Sequence, residues 1–285
     1  MVVEQYLRPR SVEETLDMLN EFGDDAKVVA GGQSVMVLLH EGLVSPRVLI
    51  GLSGVAELAG ITTDGQASIR AMATHTQVLS HPGIRANWPV LAEAEEAVSS
   101  AQIRNRGTLC GNLAHAYPTA DPPAALLALD AVLTLRSPRG TRQVPADQFA
   151  LGPLTTVLEP DELITGVTIP SPPAGARYAY LKYTLRPLDF AILGVAVQLA
   201  VDPEGRCRHV RIGLNGAANR PVRATHAEEI LEGEPVGGEQ ARLFAAAADA
   251  AAGQSEPLDE VFESSAYRRE MVRVYVRRAL ERTLP

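Results

Sequence analysis

Apolar positions near the N-terminus recur at helical spacing: Val12, Leu16, Leu19 and Phe22 fall on one face of a helix. Ser11 with Glu14 three residues on reads as a capping box that starts it, and Gly23 stops it. A short strand, Lys27 to Ala30, runs straight into Gly31-Gly32-Gln33-Ser34, and a helix is expected from Val35 to Leu39. Val48-Leu49-Ile50 predicts a second strand. Leu58 to Ile61 and Ala67 to Ala71 flank a Thr-Thr-Asp-Gly turn and predict a hairpin. Helices are predicted over Thr76 to Leu79 and Trp88 to Val98, broken at Pro82-Gly83, with Trp88, Leu91, Ala94 and Val98 as one buried stripe. A helix from about Pro122 to Leu129, with Asp121 at its N-cap, precedes a strand from Val132 to Leu135.

The densest group of chain breakers is Pro170, Pro172, Pro173 and Gly175. It places a domain boundary between residues 1–174 and residues 175–285. Beyond it, Tyr178 to Tyr183 and Ala191 to Val201 predict long strands, and Val210, Ile212 and Leu214 alternate as a half-buried strand does. Helices are expected from about Ala224 and Gly238, then a last one from about Ser265 to Glu281 with Tyr267, Met271, Val274 and Tyr275 on its stripe. Its arginines, from Arg268 to Arg282, read as a solvated face with favourable charge at a helix C-terminus, a partner-facing role being the alternative.

Composition narrows the chemistry. A formal net charge of −8 argues against nucleic-acid binding, which needs a clustered basic face. The most apolar stretch, Phe190 to Val201, is short for a bilayer span and is broken by Gly194 and Gln198. No secretory signal is visible, so a cytoplasmic location is expected. Two cysteines, Cys110 and Cys207, are too few for a disulfide framework or an iron–sulfur cluster. The histidines lack metal-binding spacing, so redox chemistry here requires an organic cofactor.

Two glycine-bearing loops hold candidate chemistry. In Ala30-Gly31-Gly32-Gln33-Ser34, glycines let successive backbone N–H groups converge into a nest for phosphate oxygens, and Ser34 adds a hydroxyl. A tight strand-to-helix turn capped by Ser34 fits equally well. Gly107-Thr108-Leu109-Cys110-Gly111-Asn112 again offers small residues and polar donors. Asp121 is either a helix cap or a carboxylate that accepts hydrogen bonds from sugar or ribityl hydroxyls. There is no GxGxxG, no P-loop, and the GxSxG elbow fails at its last position. Two nests far apart in sequence suit a long, phosphate-containing ligand between two lobes.

Ala30-Gly31-Gly32-Gln33-Ser34 resembles the AGGxS signature of the FAD-binding (medium) subunits of molybdenum hydroxylases, the family of carbon monoxide dehydrogenase, xanthine dehydrogenase and the N-heterocycle dehydrogenases. Residues Arg106 to Ala116 resemble its second signature, TxGGN, and Pro118-Thr119-Ala120-Asp121-Pro122-Pro123-Ala124 also follows the family pattern. Tyr180-Leu181-Lys182-Tyr183 with Arg186 and Asp189-Phe190-Ala191 resembles the start of its C-terminal domain. Order and spacing agree over essentially the whole chain. One departure is Cys110, in place of the first glycine of the GG pair. An ordinary φ is expected there, since a positive φ at a residue with a Cβ costs roughly 1 kcal/mol or more. A redox role for its thiol is disfavoured against that of a small apolar residue.

The resemblance implies an α+β fold: a PCMH-type FAD-binding domain of two subdomains, about 1–55 and 56–174, then a C-terminal α+β domain with an antiparallel sheet, as in the carbon monoxide dehydrogenase flavoprotein. It implies FAD extended between the subdomains. Lys27, Val28, Val29, Ala30, Gly31, Gly32, Gln33, Ser34 and Val35 would line the pyrophosphate and adenosine side. Gly107, Thr108, Cys110, Gly111 and Asn112 would form the second wall, with Val98, Ile103 and Ala120 beside them and Asp121 on the ribityl or ribose hydroxyls. Thr74, His75 and Ile164 would be nearby contacts, His75 being equally explained as a hydrogen-bonded structural residue. Lys182 and Tyr183 would approach the isoalloxazine edge, where Lys182 would stabilise negative charge on the reduced flavin; a solvent-exposed strand lysine is its alternative. No residue of this chain is expected to be catalytic in the substrate step. The resemblance implies an electron-transfer subunit fed by two [2Fe–2S] clusters on a small subunit. A large subunit would carry the molybdenum–pterin cofactor, in a dimer of heterotrimers. The alternatives are a self-contained flavoenzyme of the same superfamily, for which no substrate acid or base stands out, and a structural subunit that has lost FAD.

Overall fold

The computed structural model describes residues 3–236, 240–259 and 263–284. The chain opens with a small parallel sheet in the order β1 (Gln5–Leu7), β3 (Val48–Gly51), β2 (Ala26–Val29). Helix α1 (Val12–Phe22) covers it with Val12, Leu16 and Leu19. The Ser11 hydroxyl accepts from Glu14 N at 3.0 Å, but the Glu14 carboxylate takes the N–H of Arg10 at 2.7 Å, one residue before the position a full capping box would use. Helix α2 (Val35–His40) follows the first glycine loop.

The second layer is a five-stranded antiparallel sheet, ordered β4 (Ile61–Thr62), β5 (Ala67–Arg70), β10 (Leu163–Ile169), β6 (Val132–Ser137), β7 (Gly140–Pro145). The expected hairpin is the pair β4–β5, shortened because Leu58 lies in a 3-10 turn. Strand β10 fills the centre of the sheet although it is distant in sequence from both neighbours. Around this sheet lie α3 (His75–Ser80), α4 (Pro82–Asn87), α5 (Pro89–Glu96), α6 (Ala101–Arg104), α7 (Leu109–His115), α8 (Asp121–Ala128) and α9 (Ala146–Phe149), with a minor hairpin of β8 (Ala150–Gly152) and β9 (Thr155–Thr156). The α5 stripe is as read: Trp88, Leu91, Ala94 and Val98 are all buried.

The third layer is the antiparallel sheet β11 (Arg177–Tyr183), β12 (Leu193–Val201), β13 (Cys207–Asn215), β14 (Val222–Arg223), backed by α10 (Thr225–Leu231), α11 (Gln240–Gln254) and α12 (Ser265–Arg282). The expected helix start at Gly238 lies outside the described residues. Side chains of β11 alternate as a strand dictates. Tyr178 and Tyr180 pack toward the first core, whereas Ala179, Leu181 and Tyr183 pack toward the helices of the second.

Helix α8 joins the two cores, and all eight of its residues are buried. Its backbone rests on β13 at Gly213, where a Cβ would stand 2.0 Å from the Ala124 carbonyl oxygen.

The last helix corrects the sequence reading. Its buried stripe is Arg268, Val272, Val276, Ala279 and Leu280, while Tyr267 is exposed. Nor are its arginines simply solvated. Arg282 donates to the Tyr180 carbonyl at 3.1 Å and pairs with Glu93, Arg273 pairs with Asp249, and Arg268 is buried beside Glu263. No helix among the described residues is long and apolar enough to cross a membrane.

Candidate cofactor crevice

The two glycine loops meet. A Cβ on Gly31 would lie 1.9 Å from the Arg106 carbonyl oxygen and 2.8 Å from the Gly107 Cα, so the backbone of the first loop sits directly on that of the second. Gly32 turns the chain with φ 77°, a conformation that disfavours a side chain. Ser34 is already in helical conformation and makes no capping hydrogen bond, so the capped-turn alternative is not what forms here. Gln33 folds back to donate to the Gly31 carbonyl at 3.2 Å.

The second loop is tied down from behind. Thr74 starts α3 with a complete capping box to Gln77 and bridges to Thr108. His75 N donates to the Gly107 carbonyl at 3.0 Å, and Leu109 N to the Ala73 carbonyl at 3.2 Å. Thr108 caps α7, its hydroxyl accepting from Gly111 N at 3.1 Å. Ala30 Cβ is 3.7 Å from the position a Gly111 Cβ would take, a second point of contact between the loops.

Cys110 lies inside the first turn of α7 and is not among the positive-φ residues, as expected. It is buried, and burial with the nearby Glu95 carboxylate pushes its thiol up to about 12. A thiol of that kind is an inert apolar residue.

Behind the loops is a buried polar network. His75 Nδ1 lies 2.5 Å from Glu95 Oε2, both side chains almost fully enclosed. Asp121 is 4% exposed. It is the first helical residue of α8, not its N-cap, which is Ala120; the carboxylate is therefore aimed elsewhere. Oδ1 accepts from the Tyr180 hydroxyl at 2.6 Å, and Oδ2 from Lys182 Nζ at 2.9 Å. Burial raises the Asp121 pKa, with Lys182 and Tyr180 opposing it. Burial, then the Asp121 charge, holds the Tyr180 phenol well above its usual range. Asn215 Nδ2 donates to the Ala120 carbonyl at 2.8 Å, a further strut from β13.

Glu95, Tyr180 and Asn215 were not singled out from the sequence. Glu95 had a signal: an acid four residues after Leu91 on an apolar helix face. Tyr180 had one too, since strand alternation puts it on the same face as Lys182.

The remaining expected residues distribute as follows. Ile103 and Val98 flank the second loop, Val98 buried. Lys27 is exposed on β2; its charge adds to burial in lowering the His115 pKa. Val28, Val29 and Val35 are half-buried around the first loop. Ile164 is buried on β10 within the first core. Lys182 is a partly buried ion-pair partner and not an exposed strand lysine. Tyr183 lies on the other face of β11, its hydroxyl 2.8 Å from that of Tyr267 and its ring 5.5 Å from Tyr275. The hydrogen bond to Tyr267, then burial, pushes its phenol up to about 12.

The crevice fits a long ligand with hydroxyl and phosphate groups. Gly31 and Gly32 give a cradle without side chains, Ser34 has a hydroxyl uncommitted to capping, and Asn112 Oδ1 is buried without a hydrogen-bond partner. An orphaned buried acceptor costs ~1–3 kcal/mol, which a donor on a bound molecule recovers.

Comparison with known proteins bears on what that molecule is. Residues 2–172 match the family described as the FAD binding domain in molybdopterin dehydrogenase, and residues 178–283 match the CO dehydrogenase flavoprotein C-terminal domain. The chain is 36% identical to the 6-hydroxypseudooxynicotine dehydrogenase complex subunit alpha of Paenarthrobacter nicotinovorans, over 98% of this chain and 94% of that one. It is 35% identical to the carbon monoxide dehydrogenase medium chain of Hydrogenophaga pseudoflava, over 97% and 95%. Among solved structures, a carbon monoxide dehydrogenase from Hydrogenophaga pseudoflava lacking the Mo-pyranopterin moiety superposes with a TM-score of 0.94 at 35% identity, covering 99% of this chain and 98% of that one. Quinoline 2-oxidoreductase from Pseudomonas putida 86 superposes with a TM-score of 0.90 at 32% identity, covering 98% and 96%.

Proposed function

The chain belongs to the family of FAD-binding medium subunits of the molybdenum hydroxylases, and from that membership we propose that it relays electrons from partner [2Fe–2S] clusters through FAD to a terminal acceptor. It is an FAD-binding oxidoreductase subunit. The observation that carries the proposal is the backbone contact of Gly31 on Arg106, which joins two distant loops into one crevice with the orphaned Asn112 acceptor beside it.

FAD, when bound, converts one-electron delivery into two-electron delivery. This chain's residues bind and orient. The Gly31–Gly32 cradle and Ser34 receive the phosphate end, and Asn112 accepts from a ligand hydroxyl or amine. The capping of α7 by Thr108 holds the second wall in place. His75 holds the Gly107 carbonyl through its backbone N–H, and its ring pairs with Glu95 behind the loop. The burial of Asp121 and its two partners direct its carboxylate to Tyr180 and Lys182. It supports the crevice from that position.

The partners we propose are a large subunit with the molybdenum–pterin cofactor, which selects the substrate, and a small [2Fe–2S] subunit, in a dimer of heterotrimers in the cytoplasm. The division at residues 174/175 belongs to the same proposal; β10 ends at Ile169 and β11 begins at Arg177. Purification of the native assembly tests this. The expected result is a yellow chain that copurifies with both partners and whose flavin is reduced only when the iron–sulfur subunit is present. A colourless protein, or an isolated chain that oxidises substrate unaided, overturns it.

A further inference from the structure

Segment 98–120 carries most of the second wall of the crevice, and both of its flanks are held by a single side chain from the other domain. Lys182 Nζ donates to the Ala97 carbonyl at 2.9 Å, just before the segment begins, and to Asp121 Oδ2 at 2.9 Å, just after it ends. The carbonyls that follow Ala97 are also taken. Arg104 donates to Val98 O at 2.8 Å and Ser99 O at 2.6 Å, where Ser99 has a left-handed φ of 35°. On the far side, the Tyr180 hydroxyl fixes the other carboxylate oxygen of Asp121, and Asn215 holds the carbonyl of Ala120.

The residue type matters. The chain has two lysines among its 26 basic residues, and one stands here with its side chain 12% exposed. A compact ammonium with three donors can reach a carbonyl and a carboxylate at once in a narrow gap. A planar guanidinium spreads its donors over a wider head group.

We propose that Lys182 is a positioning residue that clasps the two ends of segment 98–120 across the domain junction, so that the C-terminal domain sets the shape of the cofactor crevice. The inference rests on the FAD reading above and, beyond the flavin contacts expected of Lys182 and Asp121, gives the pair a structural role that exists before FAD binds. In this role the Lys182 charge is balanced by Asp121, and its removal loosens the second wall from both ends together.

Two measurements on the full chain test the clasp. The first is the rate of FAD release. Lys182→Met and Asp121→Asn are each expected to speed it about tenfold. The double variant is expected to be no faster than the worse single one, because both remove the same contact. Lys182→Arg, which keeps charge and donors, recovers part of the loss. Tyr180→Phe, a milder change that keeps the shape, speeds release by a few fold and serves if the charge variants fold poorly. The second is hydrogen exchange in flavin-free protein, with faster exchange expected at both ends of segment 98–120 in Lys182→Met. Wild-type release rates in Lys182→Met overturn the clasp, as do multiplied effects in the double variant, Arg and Met behaving alike, or exchange changes confined to one end. A wild-type protein that never holds FAD defeats the functional reading instead, and the exchange measurement still decides the clasp.

Discussion

Two contacts in this molecule use the same device. At Gly31 a Cβ would stand 1.9 Å from the Arg106 carbonyl oxygen, and at Gly213 a Cβ would stand 2.0 Å from that of Ala124. Each lets one backbone rest on another. Around Gly213 the touching residues, Ala124 and Leu127, are fully enclosed and apolar, so the contact is packing between α8 and β13. Around Gly31 the loop is half-exposed, Ser34 is not used for capping, and the neighbouring second loop keeps an unpartnered Asn112 oxygen. Close backbone approach therefore does not by itself mark a binding site; the half-exposed setting and the uncommitted Ser34 hydroxyl set the first contact apart.

The sharpest test is Gly31→Ala. Its methyl group meets the Arg106 backbone, so the two loops must part and the crevice they form opens; FAD affinity is expected to fall about 100-fold, the equivalent of ~3 kcal/mol. Because the first loop is half-exposed and can part from the second, the melting temperature of the flavin-free protein is expected to fall less than in Gly213→Ala. Gly213→Ala is expected to do the reverse. Overpacking of ~1–3 kcal/mol lowers the melting temperature by about 5 °C while bound FAD is retained. Calorimetry with flavin titration reads both, and equal effects on both quantities would erase the distinction.

Thr108→Ala removes the α7 cap at the crevice. About 1 kcal/mol is expected, seen as FAD binding weakened several fold.

The smallest effect concerns Cys110. Its thiol is raised from an ordinary 9.0 to about 12, and that of Cys207 to about 11. The folded state disfavours both thiolates. Stability from this source is complete below about pH 9 and is lost as pH climbs toward 12. Alkylating reagents at pH 8 are therefore expected to leave both cysteines unmodified in the folded protein, as mass spectrometry would show. Fast modification of Cys110 would count against its burial under the second loop.

Much of this was legible in the residues. The α1 and α5 stripes, the strand into the first glycine loop and the alternation along β13 are local patterns, and hydrophobic period alone finds them. The order of the signature blocks pointed to the family. The α12 face was misplaced by about one position because its buried stripe includes Arg268, a residue that pattern reading assigns to solvent. Strand β10 is a β-branched apolar run, but its place at the centre of the sheet depends on partners remote in sequence.

By itself the sequence determined the elements, the family and the small residues that make both loops possible, because these depend on steric and hydrophobic preferences of neighbouring positions. Only the tertiary structure decided that Gly31 lies on Arg106, that Asp121 faces Tyr180 and Lys182, and that Tyr183 turns to α12. Those outcomes depend on how separate elements stack. The direction of a buried carboxylate is set by the donors that reach it from other strands, and no local pattern encodes them.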